Sequence, residues 1–178
     1  DILKQFNELL FRQHSLSHSL RNFLKDKSLS EAILSVLKDV LDLFHGGRVY
    51  IMEYDKHYRV LSCTYEVVAD GVSSEMNLLR QLPTDDMKWW LKQMLEDKPI
   101  LLNTLNDLPQ EARREYEVLA VQNIKSLMVI PLRNTERMWG YIGIDLVDRH
   151  YKWTNEDYQW FSSLANIINI CISLRLTK

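Results

Sequence analysis

The sequence predicts an α+β protein built as an α/β/α sandwich. A central antiparallel sheet of about five or six strands carries the terminal helices bundled on one face, with shorter helices and loops covering a pocket on the other. Three observations predict it. Residues 124–146 read as two apolar strands joined by a polar turn at 133–137, and a pair apolar on both sides belongs at the centre of a covered sheet. Helical stripes open and close the chain. Between them, strands follow one another through tight turns, which implies antiparallel pairing.

The first helical stripe is Ile2, Phe6, Leu9, Gln13, Leu16, Leu20 and Phe23, at spacings of four and three. That is a heptad seam with one polar member, and so narrow a stripe wants a partner helix. Residues 1–27 are therefore expected to form a signalling and dimerisation helix, and 28–178 a domain ending in a second signalling helix. Ser28, with Glu31 three residues on, reads as a capping box that opens a helix through Phe44 with Ile33, Val36, Leu37, Val40 and Leu41 on its apolar face; His45-Gly46-Gly47 ends it. Residues 48–54 and 58–69 alternate as strands about a turn at 55–57, and 70–82 is polar and irregular.

Pro83-Thr84-Asp85-Asp86 places acids in the first turn of a helix through about Leu95, carrying Trp89, Trp90 and Leu91. A short strand at 100–102 follows, and Asp107-Leu108-Pro109-Gln110 opens a helix to about Val121. After the central hairpin, Thr154-Asn155-Glu156-Asp157 caps a last helix in which Trp160, Leu164, Ile167, Cys171 and Leu174 recur at four and three. The cover over the second face is thin. A gap between cover and sheet is a natural ligand cavity.

At 178 residues the chain has the length of one domain. With 22 Lys plus Arg against 24 Asp plus Glu, a net charge of −2, no field gathers nucleic acid or an anionic membrane, so neither is expected as a partner. Cys63 and Cys171 lie in apolar surroundings without CxxC spacing, as reduced core thiols of a cytoplasmic protein do. No run approaches the roughly 18 apolar residues of a membrane span, and no signal peptide opens the chain. It starts at Asp1 rather than Met, which reads as a piece of a longer protein that itself carries any membrane anchor.

The ordered set Lys98-Pro99-Ile100, Asn106-Asp107-Leu108-Pro109, the run 123–132, Trp139-Gly140-Tyr141-Ile142-Gly143 and Trp153-Thr154-Asn155-Glu156-Asp157 resembles a GAF domain over about residues 28–175. The resemblance implies a GAF-like sheet with a ligand pocket or its relic, and a sensory module of a bacterial two-component sensor histidine kinase. It also implies a homodimer formed through terminal helices and a covalently linked output domain. The Asn-Lys pair of cyclic-nucleotide-binding members is missing from the last strand, which ends Ile144-Asp145-Leu146-Val147-Asp148. Bilin-binding members attach their chromophore through a cysteine next to a histidine in the cover; residues 70–127 contain neither, so a covalent bilin is not expected. The cysteine set of the free methionine sulfoxide reductases of this fold is absent too. No cofactor is identifiable, and an unidentified small molecule is the expected ligand.

Alternation places Trp139, Tyr141, Gly143 and Asp145 toward the cavity and Met138, Ile142, Ile144 and Leu146 toward the helical bundle. By the same logic Arg48, Tyr50 and Met52, and Ser126, Met128 and Ile130, share the cavity face. A buried Arg48 needs a partner, and Asp145 is the candidate; the pair binds an anionic ligand or satisfies itself. Trp89 and Trp90 supply a stacking lid or pack as core. The dimer seam is drawn from Phe6, Leu9, Leu16, Leu20 and Phe23, with Leu164, Ile167, Cys171 and Leu174. His14 and His18 fall off that seam and read as solvated rather than as metal ligands. No catalytic triad, P-loop or dinucleotide fingerprint is present, so the chain is not expected to be an enzyme. The reading is a sensory and regulatory module that relays a ligand or conformational input; the alternative is a ligand-free dimerisation module whose pocket is filled by its own side chains.

Overall fold

The computed structural model describes residues 2–24, 28–75 and 81–176. Its elements are α1 (Ile2–Leu24), α2 (Leu29–Phe44), β1 (Arg48–Tyr54), β2 (Val60–Val68), β3 (Leu82–Pro83), α3 (Lys88–Leu95), β4 (Ile100–Leu102), α4 (Arg113–Val121), β5 (Ser126–Arg133), β6 (Met138–Leu146) and α5 (Asn155–Leu176). The six strands form one antiparallel sheet in the order β3-β2-β1-β6-β5-β4, so the two strands at its centre are far apart in sequence.

Local chemistry sets the boundaries. Ser28 Oγ accepts from the Glu31 N–H at 3.2 Å as expected, whereas α2 ends with His45, not one of the glycines after it, turned left-handed at φ 49°. The β1–β2 turn closes on Asp55 Oδ1, which accepts from the Arg59 and Val60 amides, each at 2.7 Å. One core lies between the sheet and α2 and α5, built on Val49, Ile51, Ile142 and Ile144. A second lies under the roof of α3, α4 and their flanking 3-10 turns, built on Met52, Leu61, Trp90, Leu127, Val129 and Tyr141.

Three expectations change. Ser126, Met128 and Ile130 pair with Leu146, Ile144 and Ile142 and so face the helical bundle, not the cavity, while Leu127 and Val129 face the roof. β5 is apolar on both sides, so its alternation carries no phase. In β6, Leu132 pairs with Gly140 but Arg133 with Met138, so Trp139 is an extra, bulged residue. The bulge reverses the faces below it: Met138 joins the roof core, and Trp139 turns to the bundle, where its Nε1 donates to Asn169 of α5 at 3.0 Å. The polar stretch before α3 also supplies the two-residue strand β3 at the sheet edge.

The described part of the α5 stripe is largely spent inside the chain. Leu164 is fully buried and Ile167 half-buried in the bundle-side core, which removes Leu164 from any seam between copies. The exposed side of this helix is Gln159, Ser163, Asn166 and Ile170. The side chains of Phe6, Leu9, Leu16, Leu20, Phe23, Cys171 and Leu174 lie outside the described residues. Two members of the N-terminal stripe that are described, Ile2 and Gln13, are exposed, as are Leu3, Leu10 and Phe11. α1 is held to the body by Arg12, which pairs with the buried Asp157 at the start of α5, and whose carbonyl accepts from Trp160 Nε1 at 3.0 Å.

The central pairing leaves no room at Gly140, where an added Cβ would stand 2.1 Å from the Met52 carbonyl oxygen. Gly140→Ala is expected to cost more than about 3 kcal/mol, read as a fall in the urea midpoint at unchanged slope; an unchanged midpoint would contradict this packing.

Candidate functional site

The sheet register assembles the site between sheet and roof. Arg48 pairs with Asp145, Tyr50 with Gly143 and Met52 with Tyr141, which sets five of the predicted contact residues side by side on β1 and β6. Because Gly143 has no side chain, the Tyr50 ring lies across it; a Cβ there would be 2.5 Å from the ring. The Tyr50 hydroxyl then reaches Asp145 Oδ1, to which it donates at 2.8 Å.

Arg48 is 2% exposed and meets acceptors on every side. Its Nε donates to Asp145 Oδ2 at 3.2 Å, Nη1 to the Ser73 carbonyl at 3.1 Å and to Glu75 Oε1 at 3.4 Å, and Nη2 to the Gln122 carbonyl at 2.6 Å. One guanidinium thus ties the β2–β3 loop and the end of α4 down onto the sheet. Of the two fates open to the pair, the geometry gives self-satisfaction. Glu66, whose Oε2 accepts from the Glu75 amide at 3.2 Å, adds a third carboxylate to Asp145 and Glu75.

The remaining cavity is small, about 30 Å³, room for one or two waters. Its walls include Arg48, Tyr50, Met52, Trp90, Tyr141 and Asp145. Trp89 packs edge-on against Trp90 with ring centroids 6.5 Å apart and does not line the cavity. Trp90 is anchored from α4, where buried Glu115 accepts from its backbone N–H at 2.8 Å in the first turn of α3. Two polar atoms here are buried without a partner: Trp90 Nε1 and the Tyr54 hydroxyl. The indole N–H stands beside the Tyr141 hydroxyl without reaching hydrogen-bond geometry. Both rings lie 6.0 Å from that of Tyr141, and an orphaned buried group costs about 1–3 kcal/mol.

Burial pushes the Tyr50 and Tyr141 phenols well above their ordinary range and the Cys63 thiol up to about 12, so none of them is a nucleophile at neutral pH. Burial also raises Asp145 to about 6 although Arg48 and Tyr50 favour its ionised form. Among the described residues no group of three or more His, Cys, Asp or Glu is placed to hold a metal, and no helix is long and apolar enough to cross a membrane. Sequence reasoning missed Tyr54, Glu66, Glu75 and Gln122. Glu66 carried no signal, because alternation groups it with Ser62 and Thr64 and only the extra residue Thr64 in β2 brings it onto the cavity side; Glu75 and Gln122 sit on connections, where no periodicity points inward.

The GAF domain family matches residues 28–172. A methanogenesis regulatory histidine kinase, FilI of Methanothrix harundinacea (strain 6Ac), is 28% identical over 162 residues, covering 87% of this chain. The chain spans 18% of that kinase's length. Among solved structures, the phycoerythrobilin-bound GAF domain of a cyanobacterial phytochrome superposes with a TM-score of 0.77 at 14% identity, covering 93% of this chain and 96% of that one. A phycocyanobilin-bound counterpart gives 0.76, also at 14%, covering 92% and 94%. These structures correct the cofactor expectation. The missing Cys and His in 70–127 bear on one way of attaching a bilin, whereas the fold this chain shares is one that holds such chromophores in both structures.

Because the folded-state value of Asp145 lies above the ordinary 3.8, its stabilising effect is full below about pH 4 and is lost as pH rises through about 6. Relative to Asp145→Asn, the wild type is expected to lose about 3 kcal/mol between about pH 4 and pH 7, read from urea unfolding at each pH; a difference flat with pH would contradict it.

Proposed function

The chain belongs to the GAF domain family, whose members are sensory modules, and we propose that it responds to a small ligand held between sheet and roof and relays that state through its terminal helices in a dimer. The observation that carries the reading is the position of Arg48, a buried cation whose acceptors come from the sheet, the β2–β3 loop and the end of α4. Anything that enters beside it changes how firmly the roof is fastened. β6 supplies a route onward: its cavity side carries Tyr141 and Asp145, and its bulge hands Trp139 to Asn169 of α5. α5 in turn holds α1 through Asp157 and Trp160. A ligand shifts this chain of contacts only by binding the two arrangements unequally.

The dimer surface in this reading is α1, whose Leu3, Leu10 and Phe11 are exposed in the single chain, rather than the stripe of α5 already used as core. The parent protein is a signal-transduction protein of which this chain is the sensor rather than the catalyst, as the similarity to a histidine kinase supports. A second reading, a ligand-free interaction module, draws on one observation, the 30 Å³ cavity.

Screening small molecules by thermal shift, with phycocyanobilin among them, tests the first reading. A true ligand at a hundredfold excess over Kd is expected to raise Tm by about 5–10 °C. It should also change amide exchange in α1 and the molar mass measured by light scattering. A dimer that no compound stabilises would favour the second reading; a ligand that leaves α1 and the mass unchanged would remove the relay.

A further inference from the structure

The two ends of the cavity differ in what they lack. At the Arg48 end four of the guanidinium's five N–H donors are engaged by protein acceptors, and Asp145, Glu75 and Glu66 outnumber it. An anion arriving there meets net negative charge. At the Tyr141 end the position is reversed. Trp90, on the wall there, is 1% exposed, yet its indole N–H has no partner. An indole N–H can only donate, so what it lacks is an acceptor. Its surroundings are apolar and aromatic, with Met52, Met87 and Leu119 on the walls.

We propose that the cavity takes a neutral, flat molecule carrying a carbonyl-type acceptor oxygen, which receives the Trp90 indole N–H at the Tyr141 end, and that anions are rejected. This rests on the cavity being a ligand site. Recognition then lies with Trp90, while Arg48 serves as the fastening that the ligand perturbs. The unbranched side chains of Met52 and Met87 are the parts of the wall able to give way to a ring.

Four probes of one shape decide the matter: benzamide, benzoate, benzamidine and toluene, each titrated by calorimetry into the full chain at neutral pH. Benzamide is expected to bind at least about tenfold tighter than benzoate, benzamidine or toluene, the factor that one hydrogen bond in a dry site supplies. Trp90→Phe should lower benzamide affinity about tenfold. Tyr54→Phe, outside the cavity wall, is the folded control and should leave benzamide affinity unchanged. Benzoate or benzamidine binding as well as benzamide would overturn the proposal. So would a Trp90→Phe variant that melts cooperatively and binds benzamide as tightly as the wild type. If all four probes fail while the broader screen yields a ligand of other chemistry, the ligand class is wrong and the site stands; if the screen is empty too, the site reading falls with it.

Discussion

A guanidinium sealed from water has to be surrounded by acceptors, and the arrangement of the roof side of the sheet follows from how Arg48 meets that demand. β1 and β6 deliver one acceptor, Asp145, directly across the sheet. The sheet alone cannot supply the rest. They come as backbone carbonyls of Ser73 and Gln122 and the carboxylate of Glu75, from segments with no other reason to approach the same point. Removing one member of such a buried set commonly costs about 3–5 kcal/mol, because the others are left uncompensated. The roof is accordingly neither a rigid layer nor a loose flap. It is a thin cover pinned by Arg48 at one end and by Arg133, which donates to the Leu95 carbonyl at the end of α3, at another, with apolar contacts from Trp90, Met87 and Leu119 between.

Most of the architecture was legible because it is encoded locally. The serine cap at Ser28 and the Asp55 turn each follow from one side chain bonding to nearby backbone, and the structure keeps both; the end of α2 falls where expected, but His45 rather than a glycine takes the left-handed turn. The pairing of Arg48 with Asp145 was legible for another reason: a charge in an apolar strand needs a mate, and few were on offer. What failed was phase. β5 is buried at seven consecutive positions, so a period of two has nothing to mark it, and Ser126 and Met128 were assigned to the wrong side. In β6 the alternation was read correctly from Tyr141 onward and reversed before it, since a bulge leaves no mark in residue type that separates Trp139 from its neighbours.

The stripe of α5 fell to a related ambiguity. A helix that packs on a sheet and a helix that packs on its twin show the same spacing of four and three, and sequence periodicity does not say which surface is waiting. Here the sheet claims Leu164 and Ile168, both fully buried. The other partners of Arg48 were illegible for the opposite reason. Glu75 and Gln122 lie on connections, and only the folded path of the chain carries them to the guanidinium.

The seating of α5 limits how any signal leaves the domain. With Trp160, Phe161, Leu164, Ala165 and Ile168 keyed into the core, this helix cannot spin about its own axis without dragging apolar surface into water. It behaves as a shaft splined to the sheet. Torque applied at the platform would emerge as a tilt or a bend of the rod rather than as a rotation.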